Sequence, residues 1–278
     1  MKKSAYLLVA LLTGCAGRYS KHVLHPVAQQ HLVTGSGFYH YAAAFDWRRR
    51  DSFALAESFS GNFPLFLETF VRVNTSMRDS GGHLITGYYY VAPDYWSIGS
   101  DQDWARIPLT TVAAQAIADS FHCFLPTRKM VDDIYRQALV KLEPVPMYAF
   151  RDSTVTMWQH HLIIEGQRKG RRGLIAGIKK DVVITGKITR DNKPNRVAIY
   201  GWHRLDGHAI QPLYTGHVNW YVDYSHGIRL VYRKVWVNGR EMDYTEVLKH
   251  PVYHLLLCDE PACDVYRYTE NYAPAGQK

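Results

Sequence analysis

The sequence predicts an α+β fold, mostly antiparallel β-sheet with a central helix pair. Strand-like runs rich in aromatic and β-branched residues occupy the first third and the last half of the chain, and two segments with helical periodicity lie between them. A regular alternation of strand and helix, which would indicate a doubly wound parallel sheet, is missing from the pattern. The 278 residues are 47% hydrophobic and 21% charged, which is typical of a globular protein.

The first strands are predicted at 66–74 and 83–99. The two runs read FLETFVRVN and HLITGYYYVAPDYWSIG, and both are rich in residues that favour strands. Ser80, Gly81 and Gly82 separate them and favour a turn. A β-hairpin or a meander is the simplest arrangement for this part of the chain.

The central helices each begin after a threonine that can act as an N-cap. Thr110 or Thr111 can cap the first helix, whose apolar residues recur every three or four positions until Pro126. Thr127 can cap the second helix, whose periodic apolar face continues to Leu142. The sequence therefore predicts two consecutive helices joined by a sharp corner.

The second half of the chain returns to strands. A strong turn signal, Asn238-Gly239, follows the last of them, and a short helix is expected at Tyr244–Lys249. The strands are predicted at 160–166, 181–189, 196–202, 219–224 and 228–237.

The N-terminus is typical of a secretory signal. Two lysines precede an apolar run from Ala5 to Leu12, which is shorter than the roughly 20 residues that a membrane-spanning helix needs. The stretch Leu12-Thr13-Gly14-Cys15 resembles the lipobox of bacterial lipoproteins. An ordinary signal peptide or a buried apolar strand would be the alternatives.

The lipobox resemblance implies a domain division and a location. Residues 1–14 would be a signal peptide, Cys15 would carry acyl chains such as palmitate, and 15–36 would tether the domain to the membrane. Ala16 after the cysteine implies the outer membrane if the source is Gram-negative. Residues 37–278 would form a single α+β domain, or two lobes joined near 145–155.

The composition indicates partners in the cell envelope. The net charge is +8, and the chain contains 20 tyrosines and 7 tryptophans. Positive charge favours anionic polymers or lipid headgroups, and aromatic rings favour glycans. The helix pair could be mistaken for a DNA-reading motif, but a protein of the envelope meets little DNA. We therefore expect a membrane contact through lipidated Cys15, a cell-wall polymer or glycan as partner, and no nucleic acid.

Three cysteines remain after Cys15. Cys258 and Cys263 flank a predicted turn, and an oxidising envelope permits a disulfide between them. The loop they would close is short, so the bridge is expected to stabilise the fold only modestly. Cys123 is expected to be a buried thiol in a helix rather than a nucleophile.

Reactive polar side chains are concentrated between residues 160 and 229. Many of them stand at predicted strand ends and corners, which can converge on one cleft. The members that we predict to be catalytic are His203, His217, Asp223, Ser225 and His226. The members that we predict to bind substrate are Lys180, Tyr224 and Arg229.

Ser225-His226-Gly227 resembles part of the Ser-His-Gly-Cys-x-Arg motif of the L,D-transpeptidases, which are cell-wall enzymes with a β-rich catalytic domain. The segment 200–203 precedes it at a distance comparable to that of the family's upstream His-Gly segment. The resemblance covers about 30 residues and implies a cell-wall substrate. Ile228 follows Gly227 directly, so the motif's nucleophilic cysteine is absent and the family's thiolate chemistry does not transfer.

The roles predicted without that thiolate are those of an acid–base catalyst. His203 or His217 would be the general base, because the pKa of histidine lies near working pH. Ser225 or a bound water would attack, and Asp223 would orient a histidine or ligate a metal. Lys180 and Arg229 would hold anionic groups of the substrate.

Two alternatives remain at this stage. The first is a zinc hydrolase, since the chain offers more than three nitrogen and oxygen ligands in His203, His208, His217, Asp223 and His226. No ligand spacing that we know matches them, so no cofactor is expected. The second is a non-enzymatic glycan-binding or envelope assembly lipoprotein, in which these side chains serve the fold. The leading prediction is a hydrolase or transferase acting on a cell-wall polymer.

Overall fold

A computed structural model describes residues 20–24, 33–190 and 193–269 of the chain. The helices in these ranges are α1 Gly35–Tyr41, α2 Trp47–Phe59, α3 Thr111–Ser120, α4 Arg128–Gln137, α5 Thr154–Arg168 and α6 Tyr244–Lys249. The strands are β1 Ser20–His22, β2 Thr69–Arg78, β3 Leu84–Val91, β4 Ser97–Gly99, β5 Trp104–Arg106, β6 Cys123–Phe124, β7 Val140–Lys141, β8 Ile175–Ala176, β9 Lys180–Val183, β10 Arg196–His203, β11 Ala209–Val218, β12 His226–Gly227, β13 Val231–Val237 and β14 Arg240–Asp243.

Two sheets organise the fold. The larger sheet is antiparallel in the order β1-β2-β3-β13-β14, and β6 pairs with β13 beside it. The smaller sheet has the order β11-β10-β9-β12, in which β9 and β12 are parallel. Two-stranded ladders join β4 to β5 and β7 to β8. The predicted α+β class, with mostly antiparallel sheet and a central helix pair, is confirmed.

The helix pair α3 and α4 begins at the predicted caps. The Thr110 side chain accepts from the backbone N–H of Ala113, and the Thr127 side chain accepts from that of Met130. The second helix ends at Gln137 and does not reach Leu142 as predicted. The chain extends there because Leu142 N donates to the carbonyl of Ala176, which continues the β7–β8 ladder.

The predicted strand at 160–166 is wrong, because these residues lie in α5. Ser153 caps this helix, and its buried face includes Met157, His160, His161 and Ile164, which recur at helical spacing. A short apolar run does not distinguish a strand from a helix by periodicity alone. The predicted strand at 219–224 is also absent, since those residues form the connection from β11 to β12.

The N-terminal part of the chain contributes to the larger sheet. Residues 20–22, predicted as part of a tether, form edge strand β1 and pair with β2. Cys15 and the signal-like segment lie outside the described residues. Helices α1 and α2 were not predicted from the sequence. In the described ranges, no helix combines the length and apolar character needed to cross a bilayer.

The cysteines follow their predicted placement in part. Cys258 and Cys263 are joined by a disulfide, with Cα atoms 6.3 Å apart, as predicted. Cys123 is buried, as expected, but it lies in strand β6 rather than in a helix. Burial raises the pKa of its thiol, and its Sγ donates to the carbonyl of Phe121 at 3.3 Å. Both features keep it unreactive.

Gly99 is needed where α1 approaches the β4–β5 hairpin. Its φ is +111°, and a Cβ would stand 2.2 Å from the carbonyl oxygen of Asp103. We expect Gly99→Ala to lower the free energy of unfolding by about 3 kcal/mol. Alanine would be strained at this positive φ, and its Cβ would force neighbouring backbone atoms to move. Urea unfolding measures the change. Gly82→Ala is the control, since its φ is +81° but a Cβ there meets nothing within 4 Å. Equal losses for the two variants would contradict the steric argument.

Candidate functional site

The candidate site is built on residues 217–226, which we call the corner. These residues carry the chain from the end of β11 into β12, and a turn begins where Tyr221 N donates to the carbonyl of Val218 at 3.0 Å. Strand β12 then pairs in parallel with β9, so that His226 lies opposite Lys180. The corner therefore brings polar side chains of two separate segments to one end of the smaller sheet.

Asp223 is the buried centre of the corner. Its Oδ1 accepts from the backbone N–H of Ser225 at 2.8 Å and from the Ser225 hydroxyl at 2.5 Å. Its Oδ2 accepts from Arg151 at 2.7 Å and from the Tyr221 hydroxyl at 3.2 Å. Burial acts to raise the pKa of this carboxyl, but His226, the Ser225 hydrogen bonds and Lys180 outweigh it and hold the pKa below its usual range. Asp223 is therefore a fixed negative charge.

His226 is buried beside this carboxylate. Its Nε2 lies 3.9 Å from Asp223 Oδ1 and has no hydrogen-bond partner in the described part of the chain. Burial lowers the pKa of His226 to about 3, so the ring is neutral at working pH. Its ring centroid lies 5.2 Å from that of His217. The two imidazoles are thus in edge-to-face contact.

His217 is the half-buried imidazole of the pair. It stacks on the Tyr221 ring with centroids 4.5 Å apart and planes 8° from parallel, and Tyr214 meets it edge-on at 5.1 Å. Burial lowers the pKa of His217 below its ordinary value, although Asp223 acts in the opposite sense. A neutral, oriented and partly accessible imidazole is what a general base requires.

Two cationic side chains flank the corner. Lys180 Nζ lies 4.8 Å from the centre of the Trp202 ring, and burial lowers its pKa. Arg151, which sequence reasoning missed, has a side chain that is 43% exposed and pairs with the carboxylate of Asp223. It comes from the loop at the predicted joint near 145–155, where no periodic pattern marks it. These two cations give the site a capacity for anionic groups.

Ser225 and Tyr224 lie inside the wall of the site. Ser225 is completely buried, and its hydroxyl is committed to Asp223. The Tyr224 hydroxyl accepts from the backbone N–H of Met147 at 2.6 Å, and the Tyr224 backbone N–H donates to the carbonyl of Arg151 at 2.9 Å. Both residues hold the corner's shape, and neither hydroxyl is placed to meet a substrate.

A buried lysine is hydrogen-bonded to the backbone of the corner. Lys179 is almost completely buried, and its Nζ donates to the backbone carbonyl of Tyr224 and to His160 Nδ1, the latter at 3.1 Å. Burial lowers the pKa of Lys179 to about 7 and that of His160 to about 2, so the imidazole is a neutral acceptor. The pair fixes the backbone immediately before Ser225.

His203 does not join the corner. It pairs with Ala209 at one end of the β10–β11 hairpin, whereas His217 pairs with Val197 at the other end. Its Nε2 bonds to Asp132 Oδ1 at 2.9 Å, and its ring stacks on Tyr135 at 4.4 Å. This second polar cluster lines a separate cavity of about 480 Å³.

Arg229 is also placed away from the corner surface. It is fully buried, and its guanidinium donates to the carbonyls of Ala92 at 3.0 Å and Ile175 at 2.6 Å. It packs on the Tyr95 ring at 4.0 Å and lies 4.0 Å from the carboxylate of Asp181. Arg229 therefore links the backbone at Ala92 to that at Ile175 inside the protein. A substrate could reach it only if this packing opened.

No group of three or more His, Cys, Asp or Glu side chains is arranged to hold a metal ion within the described ranges. Of the five candidate zinc ligands, His217, Asp223 and His226 come together at the corner, while His203 and the exposed His208 line the separate cavity. The corner thus brings together imidazole, carboxylate and cationic side chains.

No protein-family model matches this chain, and neither does any curated protein or any solved structure.

The buried imidazoles predict that acid destabilises the fold. Burial lowers the pKa of His160 and His161 to about 2 and that of His226 to about 3. Below pH 6.5 these histidines are protonated in the unfolded chain but stay neutral in the folded protein. Each of them therefore lowers the free energy of unfolding by up to about 1.4 kcal/mol per pH unit. Asp181 offsets the effect of one histidine. Burial raises the pKa of its carboxyl to about 6, so the folded protein binds this proton at a higher pH than the unfolded chain does.

Urea unfolding between pH 7.5 and pH 4.5 tests this expectation. The free energy of unfolding should fall steadily below pH 6.5, and His161→Gln should reduce the slope because it removes one titrating ring. A free energy that stays constant down to pH 4.5 would mean that these rings are accessible to protons in the folded protein.

Proposed function

We propose that the protein is a hydrolase or transferase that acts on a cell-wall polymer, with His217 as the general base. One observation carries the proposal: a half-buried imidazole, kept neutral by burial and oriented by stacking on Tyr221, stands beside the fixed charge of Asp223 and the second imidazole of His226. Charge, base and orienting group are the recurring parts of an acid–base site.

The attacking group in this proposal is a water molecule or a substrate hydroxyl. Ser225 is excluded from that role because its buried hydroxyl already donates to Asp223. His217 takes the proton from the attacking oxygen as that oxygen bonds to the electrophilic carbon. The same proton then passes to the leaving group as the bond between that group and the carbon breaks. Asp223 stabilises the transient imidazolium through its charge. Lys180 and Arg151 stabilise negative charge on the substrate.

Exposed aromatic rings near the corner support a polymeric substrate. Trp220 belongs to the corner and is 47% exposed, and Tyr214, which touches His217, is 46% exposed. Tyr148 and Phe150 are more than 80% exposed. They lie between Met147 and Arg151, the two loop residues that hydrogen-bond to Tyr224. Exposed rings beside a polar site suit a long ligand with apolar faces.

The envelope location is part of the same proposal and is supported by the lipobox-like stretch ending at Cys15. Labelling cells with a palmitate analogue tests it. The mature protein should take up the label and fractionate with membranes, whereas Cys15→Ser should do neither. If Cys15→Ser took up the label, the acyl chains would be attached to a residue other than Cys15.

Digestion of purified sacculi is the experiment that tests the activity. The folded domain is incubated with sacculi, and soluble fragments are analysed by mass spectrometry, which also identifies the bond that is cut. Wild-type protein should release fragments, and His217→Ala should not. His40→Ala is the matched control because His40 is an exposed histidine in α1, far from the corner in sequence. Release by both variants would refute the role of His217.

The alternative function is glycan binding without catalysis. The deep burial of Ser225 and His226 favours it, because these side chains could serve only to shape a binding surface. Sacculi that sediment the wild-type protein without release of any fragment would select this alternative.

A further inference from the structure

We propose that a cavity of about 430 Å³ at the open end of the β10–β11 hairpin binds a neutral ligand through a secondary amide group. The cavity lies between this hairpin, the start of α3 and the C-terminal described segment. Its lining includes apolar side chains of Val112, Ile188 and Val265 and polar side chains of Arg196 and Asn219. The inference is independent of the proposed activity at the corner.

Two buried polar atoms of the lining carry the argument. Arg196 Nε and Asn219 Oδ1 are both shielded from solvent, and neither has a hydrogen-bond partner among the residues that the structure describes. They belong to neighbouring positions, because Arg196 pairs with Val218 and Asn219 N donates to the carbonyl of Asn195 at 2.9 Å. Within the described ranges, a donor and an acceptor of the same lining thus remain unpaired, which is unfavourable unless a bound molecule satisfies them.

The backbone holds both groups in place. Arg196 Nη1 donates to the carbonyl of Gly216 at 2.6 Å, which fixes the guanidinium, while Nε meets no acceptor in the described part of the chain. The backbone of Asn219, the third residue of the corner, is fixed by its hydrogen bond to the carbonyl of Asn195. Preorganised polar groups of this kind give orientation and specificity to a small-molecule site.

A secondary amide matches the two atoms. Its carbonyl oxygen can accept from Arg196 Nε, and its N–H can donate to Asn219 Oδ1. An anion would satisfy Arg196 but would face the Asn219 oxygen, which repels negative charge. Two other charged side chains of the lining are paired, since Asp264 lies 3.5 Å from Arg190 and Arg267 lies 2.6 Å from Asp119. These pairings favour a neutral ligand.

The volume suits more than trapped water. A cavity of roughly 150 Å³ accommodates benzene, so about 430 Å³ accommodates a short peptide unit or an acetamido sugar. The apolar lining can receive the methyl group that either would carry. Peptide and acetamido sugar share the amide chemistry, and the experiment distinguishes these two sources.

Binding is measured by NMR titration of the folded domain with four probes. Di-N-acetylchitobiose and a capped alanine dipeptide carry secondary amides, glucose carries hydroxyls alone, and acetate tests whether Arg196 and the nearby Lys193 recruit an anion. We expect saturable shifts around residues 195–197 and 219 with one or both amide probes, and at least tenfold weaker binding of glucose and acetate. The probe that binds more tightly identifies the source of the amide.

Variants tie the binding to the two atoms. Asn219→Leu removes the acceptor and should weaken binding of the amide probe about tenfold or more. Asn219→Asp retains an oxygen acceptor and should weaken it less. Val112→Trp should block the cavity from α3 without altering either polar atom, and a thermal melt checks that each variant is folded.

Several outcomes would overturn the inference. No saturable binding of either amide probe would mean that the cavity holds water only. Equal binding of acetate or glucose, or unchanged affinity in folded Asn219→Leu, would show that the amide is not what is recognised. Each readout is a binding shift, so loss of activity in His217→Ala leaves it unaffected.

Discussion

Substitution of His217 by glutamine is expected to reduce the rate of fragment release from sacculi by about 10²- to 10⁴-fold, the usual contribution of a general base. Glutamine keeps a polar side chain of similar reach but takes up no proton. The fold should survive, because His217 is half-buried at the end of β11 and makes ring contacts with Tyr221 and Tyr214. Initial rates at saturating substrate measure the effect, and circular dichroism verifies the fold.

The pH profile separates a base from a merely structural histidine. Burial lowers the pKa of His217 below 6.5, so the wild-type rate should be constant at neutral pH and fall as acid protonates the ring. The acid limb should therefore lie below pH 6.5 and should vanish from the residual rate of the glutamine variant.

Tyr221→Phe is the matched control for His217. It keeps the ring on which the imidazole stacks and removes only the hydroxyl that donates to Asp223. Its rate should fall much less than that of the glutamine variant. A glutamine variant with the wild-type rate, or with an unchanged acid limb, would exclude His217 as the base.

The fold class was predictable because its signals are local. Thr110, Thr127 and the short helix Tyr244–Lys249 occupy their predicted places, since caps and apolar periodicity depend on neighbours in the sequence. The segment 160–166 was predicted wrongly because His160, His161 and Ile164 lie on the buried face of a helix, a contact that only the tertiary structure defines. Its N-cap, Ser153, lies far enough upstream to be overlooked.

The site was predictable in part for the same reason. His217, Asp223 and His226 come together because a ten-residue corner forces them to. His203 was placed with them in error, since strand pairing puts it at the opposite end of the hairpin. Arg151 joins the site from a distant loop, and no spacing in the sequence could reveal it. Sequence patterns thus identified the local part of the cluster, while long-range pairing decided the rest.

Substitution of Asp223 by alanine is expected to lower the free energy of unfolding by about 3 kcal/mol, because it leaves buried donors without an acceptor. Those donors are the backbone N–H and the hydroxyl of Ser225. The partly buried hydroxyl of Tyr221 loses the same acceptor. The Arg151 ion pair adds little to this figure, since its side chain is 43% exposed and solvent screens it. Urea unfolding at pH 7 measures the loss.

The pH dependence of the same variant gives a second check. The pKa of Asp223 is held below its ordinary value near 3.8, so its stabilisation is fully present above that pH and is lost as pH falls through the folded-state pKa. The stability difference between wild type and Asp223→Ala should therefore be constant from pH 7 to pH 5 and shrink only below about 4.

Two further variants define what Asp223 contributes. Asp223→Asn keeps one oxygen acceptor for Ser225 and removes the charge, so it should lose less stability than alanine while losing most of the activity that depends on a charged partner for His217. Asp152→Asn removes an exposed carboxylate beside Arg151 and should change neither quantity. Were Asp223→Asn to retain wild-type activity, the buried carboxylate would serve the corner's shape alone, and the alternative of a binding protein would gain the stronger support.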